Sequence, residues 1–168
     1  MAKKSLNFFP LNTSTIMKAQ KLFIALLFLG FGTQAFSQHV YPEVIDNCYL
    51  DQFIFESDST IAKLDKDKII EVITTGWDEK TLKSAEGVLS LQVLVNNRGA
   101  SCLMSIQNET NMKTKKMNLT ETINDNLKWP RMPQKVSVIM VLTFDKGKID
   151  LKRLGTKDKK SLIALDHQ

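Results

Sequence analysis

The sequence predicts an α+β domain, a small antiparallel sheet of three to four strands packed against one or two helices. Three observations predict it. In Val88–Val95, Leu89, Leu91, Val93 and Val95 share one side, which is the two-residue period of a strand with one buried face. Leu119, Ile123 and Leu127 recur at spacings of four, lining one face of a helix. Val136–Phe144 (VSVIMVLTF) is largely apolar on both faces, as expected of a central strand covered by a helix.

Taken in order, the chain opens on a secretory leader. Met17-Lys18-Ala19-Gln20-Lys21 supplies a basic stretch and Leu22–Gly32 an uncharged apolar run. Ala35-Phe36-Ser37 then offers small residues where a signal peptidase reads them, so cleavage is expected between Ser37 and Gln38. The basic residues lie close behind Met17, which points to Met17 as the true start. The competing reading is an uncleaved anchor. At about 1.5 Å per residue the apolar run reaches roughly 16 Å, about half of a hydrocarbon core near 30 Å thick, and that favours the leader. No cysteine follows the run, so a lipid-anchored lipoprotein has no attachment point.

Removal of the leader changes the charge. The whole chain has 23 Lys and Arg against 18 Asp and Glu. Lys3, Lys4, Lys18 and Lys21 precede the cut and no acid does, so the mature chain is left near +1. A nucleic-acid partner loses its support. Export also places Cys48 and Cys102 in an oxidising compartment that permits one bridge; the spacing leaves open whether they pair.

Tyr41-Pro42 is expected to be extended, and Tyr49–Phe55 to form a short strand or a turn of helix. Asp65–Thr75 reads as a helix, with Asp65 as N-cap and Ile69, Val72 and Ile73 as its apolar stripe. A weaker helix is expected over Asp78–Ala85. Asn96-Asn97-Arg98-Gly99 turns the chain from the first strand into a second at Ala100–Ile106. There Ala100, Cys102, Met104 and Ile106 are expected on one side, with Ser101 and Ser105 on the other. Gln107–Met117 reads as a polar connection and Asn118 as the N-cap of the Leu119–Leu127 helix. Pro130 and Pro133 stop that helix beyond Trp129. Ile149–Leu154 is expected as a short edge strand, and Ser161–Asp166 as a last helical turn.

Chemistry-bearing residues are sparse. His39 and His167 lie at the two ends of the mature chain, so neither a metal set nor a Ser- or Cys-His centre is expected. Asp51, Glu56, Asp58 and Glu121 show no spacing that pairs them and read as solvated surface acids. The reading is therefore of a non-enzyme without cofactor.

The order of hairpin, helix, Trp-Pro break and strand resembles the C-terminal domain of the TonB family. The residues that carry the likeness are Gly87-Val88-Leu89-Ser90-Leu91-Gln92-Val93-Leu94-Val95, the turn Asn96-Asn97-Arg98-Gly99, then Leu119…Ile123…Leu127-Lys128-Trp129-Pro130, and Lys135-Val136-Ser137-Val138…Val141-Leu142-Thr143-Phe144. The likeness divides the chain into a leader (1–37), a mixed segment (38–86), a TonB-C-like domain (87–154) and a polar tail (155–168). Departures accompany it. Tyr41-Pro42 lies far upstream of the family's usual Tyr-Pro, the helix lacks the family's alanines, and the Pro-rich spacer of the energy transducers is missing.

The resemblance implies a stand-alone exported domain in the periplasm or cell envelope of a Gram-negative bacterium. It implies binding of a peptide segment of another envelope protein by strand addition, through an edge at Ala100–Ile106 or Ile149–Leu154. Ala100, Met104, Ile149 and Leu151 are the candidate edge residues and Trp129 a candidate anchor. Two alternatives stay open. One is a membrane-anchored TonB-type energy transducer serving outer-membrane transport, should the leader remain uncut. The other is a structural domain that forms homodimers through the same edges.

Overall fold

A computed structural model describes residues 38–45, 47–156 and 161–165, so the leader lies outside the described residues. Along the chain run β1 (Glu43–Val44), β2 (Ile54–Phe55), α1 (Lys66–Ile73), α2 (Glu79–Ser84), β3 (Glu86–Val95) and β4 (Ser101–Thr110). They are followed by α3 (Thr114–Met117), α4 (Leu119–Asn126), β5 (Val136–Asp145), β6 (Lys148–Thr156) and β7 (Leu162–Ala164). The class is α+β, as the periodicities predict. The sheet, however, has 7 strands, ordered β1-β4-β3-β5-β6-β7 with β2 beside β5, instead of three to four. The additional strands β1, β2 and β7 span two or three residues each. Segments that short carry no readable period, and tertiary pairing alone makes them strands. β7 also replaces the helical turn expected over Ser161–Asp166.

The long strands follow their alternation. Leu89, Leu91 and Val93 stand opposite Leu142, Met140 and Val138 of β5, and all six are fully buried. Each such side chain contributes roughly 1.5–3 kcal/mol by leaving water. On β4 the expected alternation fails. Val93 faces Leu103 while Gln92 faces Ser105, so Met104 is an extra residue in a bulge. The bulge shifts the register by one. Ile106 joins Leu103 and the helix-side core, while Cys102, opposite Leu94, stays with the other face. Ala100, Cys102, Met104 and Ile106 therefore do not form one row.

Helices cover the face of Leu89, Leu91 and Val93. Asp65 caps α1 by accepting hydrogen bonds from the Asp67 and Lys68 amides, and Ile69, Val72 and Ile73 point into the core. Asp78 caps α2 through the Thr81 amide. Asn118 departs from its predicted role. It adopts a left-handed conformation between α3 and α4, and its side-chain amide donates to Glu121 instead of accepting from the helix. Leu119, Ile123 and Leu127 are buried as their spacing predicts.

The opposite face is polar at its centre. The Gln92 amide, fully buried, donates to the Gln38 carbonyl and Ser137 Oγ and accepts from the Val40 amide and Ser105 Oγ. Ser105 Oγ also accepts from the Tyr41 amide. Residues 38–41 are thus strapped across this face. Cys48 and Cys102 are bridged, with Cα atoms 5.7 Å apart, and tie the strap's continuation to β4. Burial pushes the Tyr41 hydroxyl above the usual tyrosine value, against a smaller opposite pull from Ser90.

Candidate functional site

The two outer sides of the sheet differ. Along Ala100–Ile106, β4 is covered. β1 pairs Glu43 with Ile106 and Val44 with Ser105, and the Ile45 amide donates to the Met104 carbonyl at 2.9 Å. The Leu103 amide donates to Asn124 Oδ1 of α4 at 2.7 Å, and Ala100 forms a bridge with Lys128. A short strand, a side-chain acceptor and a single bridge together occupy what would be an exposed edge.

The other side is less covered among the described residues. β6 pairs with β5 from Lys148 to Leu154, but β7 reaches only Leu154–Thr156. Among the described residues no strand pairs with Lys148–Lys152 on the side away from β5. Beside this stretch lies a cleft of about 380 Å³ between β6 and the segment leading into α1, lined by Thr60, Lys63, Leu64, Lys66, Leu151 and Arg153. Lys66 Nζ reaches across to Asp150 Oδ1 at 2.9 Å, with both side chains about half exposed. This contact holds the Asp150 carboxyl below its ordinary value.

An ion pair buried behind the cleft shapes its wall. Glu56 is fully buried and Arg153 is 3% exposed. Glu56 Oε2 accepts from Arg153 Nη2 at 2.5 Å. Glu56 Oε1 accepts from the Ile61 and Ala62 amides at 2.7 and 2.9 Å, and Arg153 Nη1 donates to the Ala62 carbonyl at 3.1 Å. The pair thereby folds Ile61-Ala62 against β6. Burial lowers the Arg153 pKa and the Glu56 charge partly restores it. The guanidinium also lies 5.2 Å from the centre of the Trp129 ring. Gly155 admits this wall, because a Cβ there would collide with the Ser57 carbonyl.

Glu56 is thus no solvated surface acid. Asp51 and Glu121 do lie at the surface, in contact with Lys135 and Asn118. Nothing marks Glu56 in the sequence, because its partner stands 97 residues away. Arg153 did carry a signal. It continues the Ile149, Leu151 alternation, which points it inward.

The candidate edge and anchor residues separate accordingly. Ala100 and Met104 belong to the covered side, and Met104 is wholly buried. Ile149 is half-buried against the core, and Leu151, buried, lines the cleft. Trp129 is 5% exposed and its indole donates to Ser101 Oγ at 2.8 Å, so it underlies Arg153 from within the core. Among the described residues no group of three His, Cys, Asp or Glu could hold a metal ion. Nor is any described helix long and apolar enough to cross a membrane. No protein-family model matches the chain, and no curated protein and no solved structure matches it either.

Proposed function

We propose that this chain is an exported envelope protein that binds an extended segment of another protein by strand addition along Lys148–Lys152, and that it is not itself an energy transducer. One observation carries the reading: of the two candidate edges, β4 is covered by the chain's own β1, Asn124 and Lys128, while among the described residues no strand pairs with the outer side of β6 along Lys148–Lys152, beside a cleft. An incoming strand would satisfy the outward backbone groups of β6, and the cleft beside Leu151 would take one of its side chains. The succession of β3, β4, α4 and β5 follows the order on which the TonB-C resemblance rests, and the envelope setting is taken from that resemblance and from the leader pattern. The test is crosslinking in native cells from a photoreactive residue at Lys152, with Glu43 as the control position. Capture of an envelope protein from Lys152 and not from Glu43 is expected. Equal capture from both positions, or none from Lys152, would sink the reading.

A further inference from the structure

We propose that Gln38 is a modification site: once the chain is cut after Ser37, the Gln38 α-amine closes onto its own side-chain amide to give an N-terminal pyroglutamate. This rests on the export reading above, since only cleavage frees the amine. The leader pattern marks the bond between Ser37 and Gln38 for cleavage. Gln38 is exposed, yet its carbonyl accepts from Gln92 Nε2 at 2.9 Å and, two residues on, the Val40 amide donates to Gln92 Oε1 at 2.8 Å. Cyclisation alters the amine and side chain of Gln38 and leaves that carbonyl untouched, so the ring forms without disturbing the strap.

The step balances without a redox partner. The neutral amine attacks Cδ of the Gln38 side chain, a C–N bond forms, the bond from Cδ to Nε2 breaks, and ammonia leaves with the proton lost by the amine. A free α-amine titrates at about 7.7–8.0, so its neutral form is populated under mild conditions. The product is a neutral five-membered lactam that an aminopeptidase cannot trim. The protection matters here because loss of residues 38–40 would strip Gln92, a fully buried amide, of two of its four hydrogen-bond partners, and unmet buried amide groups are destabilising.

Intact-mass measurement of the protein purified from its native cells tests this. The expected mass is that of residues 38–168 less one ammonia, beyond the hydrogens lost to the disulfide. The chain should also resist aminopeptidase. A Gln38→Asn variant keeps the backbone carbonyl but would have to close a strained four-membered ring, so it should carry a free amine and be trimmed. A chain that starts at Gln38 with its amine intact would overturn the inference while leaving export standing. A chain that retains the leader would overturn the export reading and the inference together.

Discussion

Replacing Glu56 by Ala should be among the most damaging single changes in this protein. The substitution leaves Arg153, 3% exposed, without its counter-charge, and breaking a buried pair from one side costs about 3–5 kcal/mol. It also strips acceptors from the Ile61 and Ala62 amides, each worth about 1 kcal/mol or more when no water replaces them. A loss of about 5–7 kcal/mol is a large fraction of the roughly 5–15 kcal/mol that holds a domain together. With a urea slope near 2 kcal/mol/M, the unfolding midpoint falls by about 3 M. Trp129, beneath Arg153, supplies a fluorescence signal for the titration. Arg153→Met alone should cost about 3 kcal/mol. The double variant, Glu56→Ala with Arg153→Met, should lose less than the sum of the singles by about 2 kcal/mol or more, because neither charge is then left unpaired. Additivity within about 0.5 kcal/mol, or a Glu56→Ala loss under about 1 kcal/mol, would refute the reasoning.

Three further outcomes are expected. Cys48→Ser opens a loop whose ends are 54 residues apart, which corresponds to about 4 kcal/mol in the chain-entropy model; urea unfolding of the variant beside the oxidised parent measures it. Gly99→Ala should destabilise by about 1–3 kcal/mol or more, since Gly99 has φ +86° and a Cβ would strike the Trp129 carbonyl; the drop in melting temperature reads it. The Asp78 and Asp150 carboxyls titrate below their ordinary values, Asp78 through hydrogen bonds from Thr81 and Asp150 through Lys66. A carboxyl depressed by folding stabilises above its unfolded pKa of about 3.9 and loses that contribution as pH falls through the folded value. Thus Asp150→Asn should weaken the protein at neutral pH and make no difference in strong acid, as urea midpoints across that range would show; an equal effect at both ends would count against the Lys66 contact.

The TonB-C resemblance and the open β6 edge lead to different experiments. The resemblance predicts an envelope setting, for which the test is where the protein resides and what it crosslinks. The edge predicts where on the molecule a partner sits, and the covered β4 side serves as the internal control.

What the sequence determined by itself was local. The β3 and β5 faces, the Asp65 cap, the Leu119–Ile123–Leu127 stripe and the Asn96–Gly99 turn all follow from side-chain period or from hydrogen bonds within a few residues. The tertiary structure alone decided the rest. The Met104 bulge moved Ile106 to the helix side, because pairing with β3 on one edge and β1 on the other sets the register and local pattern does not. Strands β1, β2 and β7 exist only because a longer strand offers each one a partner. Glu56 looked like any surface acid until Arg153, distant in the chain and near in the fold, drew it inside, since a buried charge is stable only where another chain segment supplies its counter-charge and hydrogen bonds. The choice between the two candidate edges is of the same kind. An edge is open or closed according to what packs beside it, and that neighbour is encoded elsewhere in the chain.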